Sequence, residues 1–222
     1  MTISSFIQQT YSKLALAVIM LILSGYGAMQ IPGVVHFMQT PLGWIMAMVA
    51  INLVTPMCLF IAKSPDDGFL SYLMMGMQGA FSGIAISPLL YLAASFTKGS
   101  ITGESLILSS MGLTGVVFSA ITLYVWKRGK LWDPSEALML GGFLVLTAAI
   151  PLNGLVLHSG ILGYIILTAL GLLGTFQLVK GTNDVMESRI TDPNEAALTL
   201  FAGIFNLFQV ILIFMLDAMK ND

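Results

Sequence analysis

Residues 14–62 read LALAVIMLILSGYGAMQIPGVVHFMQTPLGWIMAMVAINLVTPMCLFIA, 49 consecutive positions without one Asp, Glu, Lys or Arg. At 1.5 Å rise per residue, a helix needs about 20 apolar residues to cross the hydrocarbon core, so this stretch predicts two crossings joined by a turn. The turn is marked within it by Gln30-Ile31-Pro32-Gly33, with His36 and Gln39 just beyond. Working outward, uncharged stretches recur at 69–97, 105–126, 137–179 and 196–216. The third of these has 43 residues and a break at Pro151-Leu152-Asn153-Gly154 followed by His158, so it also holds two crossings. The pattern predicts an all-α membrane protein, a seven-transmembrane-helix bundle forming a single domain over 1–222, with spans near 14–31, 42–62, 69–96, 105–126, 136–153, 160–179 and 195–216.

Composition agrees. Hydrophobic residues make up 57% of the 222 and charged residues 9%, against about 25% charged in soluble domains. Such a chain cannot cover a compact surface with polar groups, so its first partner is the lipid bilayer. The formal charge of −2 shows no basic surplus to drive counterion release, which argues against nucleic acid as a partner. Cys58 is the single cysteine, so neither an intrachain disulfide nor a thiolate metal cluster can form. Lys13 precedes a first apolar run far longer than the core of a signal peptide, and that run is read as a retained span.

Orientation follows the basic residues, which stay on the cytoplasmic side. The amino terminus and the loops after spans two, four and six hold Lys13, Lys63, Lys127, Arg128, Lys130, Lys180 and Arg189, while the opposite side holds Lys98 and Lys220. The expected arrangement is an amino terminus in the cytoplasm and a carboxy terminus outside. Those three interhelical loops end in Ser64-Pro65-Asp66-Asp67, Asp133-Pro134-Ser135-Glu136 and Asp192-Pro193-Asn194-Glu195. Each offers a capping side chain, a proline suited to the first helical position and an acid that offsets the helix dipole, so spans three, five and seven should start there.

At about 100° per residue, span seven gathers Ala196, Thr199, Ala202, Gly203, Asn206, Gln209 and Asp217 on one sector, with Phe201, Ile204, Phe205, Phe208 and Leu212 opposite. The first set should face neighbouring helices and the second lipid. Span three carries Gly76, Gly79, Gly83 and Ser87 as a close-packing stripe, with Ser71, Gln78 and Ser82 on another face, and Pro88 should kink or break it. Span four groups Ser105, Ser109, Gly112, Gly115 and Ser119, and span six Gly160, Gly163, Gly171 and Gly174, as packing contacts. Gln78, Gln177, Asn206 and Gln209 are the costly groups, because an unpaired amide in hydrocarbon loses its water partners; they must pair across helices or line water.

No catalytic or phosphate-binding motif occurs, and no ionisable side chain falls in the middle of a predicted span, which argues against an enzyme, a cofactor, a proton pump or a voltage sensor. His36 and His158 fall in turns on the same side without an adjacent acid, and a metal site is not expected.

Several segments together resemble the Bax inhibitor-1 family, in particular its bacterial YccA-like branch. Gly79-Ala80-Phe81-Ser82-Gly83 through Ser87-Pro88-Leu89-Leu90 is similar to that family's glycine-rich third helix, Leu140-Gly141-Gly142-Phe143-Leu144 to the opening of its fifth, and Ala197-Leu198-Thr199-Leu200-Phe201 through Asn206-Leu207-Phe208 to its last. Tyr11, Leu14 and Leu16 resemble its first-helix start. The resemblance implies a bundle with the last helix central. It implies either a pH-sensitive calcium leak, gated by an aspartate pair on the sixth and seventh helices, or modulation of a membrane-anchored ATP-dependent protease of the FtsH type. Aligned on Gln177 and on Leu200-Phe201, the aspartate positions fall at Thr175 and Gly203, neither of which titrates. The carboxylate gate is therefore not expected, and the protein is read as a non-enzymatic modulator acting through protein contacts on membrane proteolysis or stress tolerance, with a calcium or cation leak as the alternative.

Overall fold

The computed structural model describes residues 3–61, 68–98, 101–128, 141–142, 145–146, 149, 160–187, 190 and 192–221. Apart from one pair of short strands and the turns between elements, these are helical. The elements are α1 (Ile3–Met29), α2 (Pro32–Met38), α3 (Pro41–Ile61), α4 (Gly68–Ala94), β1 (Thr97–Lys98), β2 (Ile101–Thr102), α5 (Gly103–Arg128), α6 (Gly160–Met186) and α7 (Pro193–Asn221). Among the described residues, five helices are long and apolar enough to cross a membrane: α1, α4, α5, α6 and α7. The pair α2–α3, bent by 84° at its break, makes a sixth if counted as one span. Of the predicted span at 136–153 the structure describes 141–142, 145–146 and 149, which are helical; the break at Pro151, His158, and the caps beginning at Ser64 and Asp133 lie outside the described residues. Large apolar side chains such as Phe69 (82% exposed) and Ile161 (78%) stand on the outside of these helices, where an aqueous solvent would penalise them and a bilayer does not.

The chain gathers into two compact units. The first comprises 1–108 with 188–201, the second 109–187 with 202–222, so that α5 and α7 contribute to both. In the first unit α1 lies directly against α4. A Cβ on Gly79 would collide with the Ala17 carbonyl, and one on Gly83 with the Leu21 carbonyl and the Ser24 hydroxyl. The glycines thus let two backbones touch, the contact that small residues make possible where no hydrophobic effect drives helices together. At Gly76 the nearest atom, Met20 Cγ, would stand 3.7 Å away, so that glycine is not needed for the approach.

Two features of this unit refine what the sequence predicts. Of the two outcomes expected at Pro88, a kink or a break, the break does not occur, for α4 runs on to Ala94. Proline deprives the carbonyl four residues back of its donor, and here that carbonyl, of Ile84, accepts from the Ser87 hydroxyl at 2.8 Å; a hydroxyl standing in for the missing N–H is how membrane helices keep an internal proline. Lys13 precedes the first apolar run but lies within the first helix. α1 starts ten residues earlier, and Lys13 is buried within it, its ammonium 5.5 Å from the centre of the Tyr72 ring on α4. A cation–π contact lets a lysine stay inside a helix pair where charge counting had placed a boundary.

Helix ends follow local chemistry. Asp192 caps α7 by accepting the Asn194 N–H at 2.8 Å, with Pro193 as the first helical residue, as the sequence motif predicts. Asn194, 2% exposed, accepts a 2.6 Å bond from the Ser71 hydroxyl and ties the start of α7 to α4. Thr102 caps α5, accepting the Ser105 N–H at 3.3 Å. Thr40 starts α3 in the same way, accepting from the Gly43 N–H at 3.1 Å.

In the second unit α6 and α7 cross through glycines. Gly174 meets the Gly203 carbonyl and Asn206, and a Cβ on Gly171 would stand 3.1 Å from Val210. A Cβ on Gly142 would touch Leu173 at 3.8 Å, whereas one on Gly141 would meet no described neighbour. The predicted faces hold only in part. Gly160 is exposed, and on α5 Ser105, Ser109, Gly112, Gly115 and Ser119 face outward while Leu106, Ser110 and Thr114 are buried. Small size alone does not choose a face: Thr114 donates to its own helix at the Ser110 carbonyl (2.8 Å) and Ser110 to the Met215 sulfur (3.2 Å), so both hydroxyls can be buried satisfied. On α7, Phe201, Phe208 and Leu212 are buried rather than lipid-facing. A helix buried on both its small-residue side and its aromatic side has no single lipid face for the wheel to reveal.

Candidate functional site

The sequence directs attention to positions 175 and 203, and both lie at the α6–α7 crossing of the second unit. Thr175 is half-buried and its hydroxyl donates to the Gly171 carbonyl of its own helix at 2.9 Å. Gly203 is buried against α6, where a Cβ would stand 2.8 Å from Leu178 Cδ2 and 2.9 Å from the Gly174 carbonyl oxygen. Real Cβ atoms essentially never come within 3.0 Å of another heavy atom, and Leu178 is fully buried. This is a backbone-to-backbone contact with no space for a carboxylate. One turn along, Asn206 donates through Nδ2 to Gln177 Oε1 at 2.9 Å, so two of the costly amides satisfy each other between helices. Gln209 follows on α7, half-buried.

The remaining polar candidates belong to the first unit. Gln78 is buried on α4 and receives a long 3.4 Å bond from the Thr55 hydroxyl of α3; Ser82 is buried one turn further along α4. Chemically, all these contacts are neutral hydrogen bonds of the kind that hold membrane helices together. His36 is exposed on α2, and among the described residues no group of three or more His, Cys, Asp and Glu side chains could hold a metal ion.

A buried charge pair escaped the sequence reading. α6 does not stop at 179 but continues to Met186, and its last turns are buried, including Thr182, Asn183 and Asp184. Asp184 accepts from Lys180 Nζ at 2.7 Å, the lysine being 18% exposed and the aspartate 2%. An ionised carboxylate removed from water requires a partner of this kind. Its signal was the Lys-x-x-x-Asp spacing, which puts two opposite charges on neighbouring turns of one helix face and so makes them compatible with a buried helix end. At the other end of α6, Tyr164 donates to the Asp217 carboxylate of α7.

Comparison with known proteins adds a family to this geometry. The chain is similar to a protein of Campylobacter jejuni described as uncharacterized, with 24% identity over 212 residues that cover 95% of this chain and 87% of that protein. The family described as inhibitor of apoptosis-promoting Bax1 matches residues 3–221, from the first helix to the last. The match takes in both glycine crossings and the buried ends of α6 and α7, and on it the chain belongs to the Bax inhibitor-1 family.

Proposed function

We propose that this chain is a non-enzymatic bacterial inner-membrane protein of the family that works through protein contacts, modulating a membrane-anchored ATP-dependent protease of the FtsH type or stress tolerance, and is not a carboxylate-gated leak. The reading takes the protein as a seven-span bundle with its last helix central, its amino terminus in the cytoplasm and its carboxy terminus in the periplasm. The observation that carries it is the packing at Gly203, where the backbone of α6 and the Leu178 side chain fill the space an aspartate would need. The hydroxyl of Thr175, the other position, is bonded within its own helix. Two carboxylates sharing a proton titrate together because each raises the pKa of the other; threonine and glycine have no such equilibrium.

The test is flux from purified protein in liposomes, measured for calcium and for protons against empty vesicles between about pH 6 and 8, the range in which a buried carboxylate pair titrates. The expected result is no pH-switched calcium flux, together with slower turnover of a membrane substrate when the protein is added to the reconstituted protease. A robust calcium current switched by pH would overturn the first part, and unchanged proteolysis the second.

The alternative reading, a calcium or cation leak, draws on Asp184, a buried carboxylate on α6 close to the helix end. Calcium takes six to eight oxygen ligands, and Lys180 at 2.7 Å competes for this one. If the leak reading holds, Asp184→Asn abolishes the flux while Thr175→Ala leaves it unchanged.

A further inference from the structure

Gln78 and Ser82 stand one turn apart near the middle of α4, a 27-residue helix of spanning length, and both are buried, with 6% and 1% of their surface exposed. Residues four apart on a helix share a face, so an amide and a hydroxyl lie side by side at a depth where the bilayer has no water of its own to offer. Their hydrogen bonds do not close. Among the described residues the side-chain partner of Gln78 is the Thr55 hydroxyl of α3, at 3.4 Å, beyond the usual range of about 2.5–3.0 Å for a hydroxyl donor. That hydroxyl has one proton, and at 2.9 Å the Ile51 carbonyl takes it. The two N–H groups of the Gln78 amide find no acceptor among the described residues, and the Ser82 hydroxyl finds no partner there. Other hydroxyls of this unit, those of Ser24, Thr55 and Ser87, turn back onto a carbonyl of their own helix, a route open to any helical serine. Ser82 does not take it. On α3, Pro56 leaves the carbonyl four residues before it, within one turn of Thr55, without its helical donor.

An amide in hydrocarbon is costly unless something pairs with it. What satisfies this cluster must accept from the Gln78 amide N–H groups and the Ser82 hydroxyl, and must donate to the Gln78 amide oxygen. A cation serves only the oxygens and repels the N–H donors, an anion serves only the donors, and an acyl chain serves neither. Water does both. It is held where two to four polar partners converge, and Gln78, Ser82 and the lone pairs of Thr55 make that number. The 6% of Gln78 that stays exposed is surface that a molecule of this size can touch.

We propose that Gln78, Ser82 and Thr55 form a binding site for ordered water near the middle of α4, which bridges α4 to α3 where the direct bond between them is long. A bridging water is nearly as good as a direct hydrogen bond, so the site joins the two helices without requiring their side chains to meet.

The test uses the full chain with isotope-labelled glutamine in phosphatidylcholine bilayers, and reads magnetisation transfer from water to the side-chain amide protons by solid-state NMR. Gln30 and Gln39, exposed between α1 and α3, give the reference signal of amides in contact with water. The resonance lost in Gln78→Leu, or in Gln78→Met should the first variant fail to fold, identifies Gln78. Its amide should receive transfer comparable with the reference, and Ser82→Ala, by removing one of the two to four partners of the water, should reduce that transfer by about twofold or more. Gln78→Leu should lower the unfolding midpoint, because it gives up hydrogen bonds that are made. Absence of transfer at Gln78, transfer unchanged in folded Ser82→Ala, or a midpoint raised by Gln78→Leu, as follows from deleting an amide that pairs with nothing, would each overturn the proposal. A wild-type midpoint that rises with sodium or potassium at constant ionic strength would do the same, by placing a cation at these oxygens.

Discussion

Replacing Gly203 with alanine tests the α6–α7 crossing with a single methyl group. That methyl would have to move from 2.9 Å to about 3.4 Å from the Gly174 carbonyl oxygen to reach ordinary contact, and backbone cannot rotate aside as a flexible side chain can. Leu178, the other neighbour at 2.8 Å, is fully buried, so its side chain cannot swing out into solvent or lipid without leaving the core. The helices must therefore part by roughly 0.5 Å, and overpacking of this kind costs about 1–3 kcal/mol. A central value of about 2 kcal/mol lowers the unfolding midpoint by roughly 4–8 °C for a chain of this size. Thermal unfolding of the detergent-solubilised protein is the assay, with Gly112→Ala, which points into open space, as a control expected within about 0.5 kcal/mol of the parent. Gly203→Asp should cost more than alanine by at least about 2.5 kcal/mol if the acid ionises inside the membrane. Adding Leu178→Ala to Gly203→Ala should cost less than the sum of the two single changes, with a coupling of about 1 kcal/mol, because the truncated side chain vacates half of the clash. Equal midpoints for Gly203→Ala and Gly112→Ala, or strict additivity with Leu178→Ala, would refute the contact and with it the argument that no carboxylate fits there.

Three further outcomes follow from the same structure. Lys180→Ala removes the ammonium 2.7 Å from buried Asp184 and should destabilise by on the order of 3 kcal/mol, with Lys180→Ala plus Asp184→Asn recovering part of the loss in the same unfolding assay. Ser87→Ala should cost about 1–3 kcal/mol by leaving the Ile84 carbonyl without a donor, and the penalty should largely vanish in a Pro88→Ala background, where the backbone N–H returns; an equal penalty in both backgrounds would show that the hydroxyl does not replace that bond. A periplasm-active reporter fused after Asp222 should be active and one inserted at Gly129 silent, and the reverse pattern would invert the orientation.

What could be read in the amino acids was whatever rests on local chemistry. The Asp192-Pro193 cap was visible because a carboxylate and a proline at a helix start act within one turn. The tight role of Gly79 and Gly83 was visible because glycines one turn apart leave a flat face. Other features depended on partners distant in the chain. Lys13 looked like a boundary because nothing in its neighbourhood announces Tyr72, 59 positions later. Asp184 looked like a loop residue because a count of apolar residues ends a span where the membrane ends, whereas α6 continues past Val179 with Lys180 and Asp184 paired on one face. The lipid face of α7 was misassigned because the wheel assumes one buried side, and Phe201 and Leu212 are buried along with Gly203.

The Lys180–Asp184 pair also bears on how the chain enters the membrane. Both charges sit on α6, four residues apart, so their mutual neutralisation requires only that this one helix has formed. A segment leaving the ribosome is offered to the lipid by itself, before any neighbour is available to pair with, and a pair split between two helices would face hydrocarbon as two separate ions at that moment. Here the two charges of α6 arrive already matched and need no other helix, whereas its amide Gln177 finds its partner only when Asn206 of α7 follows.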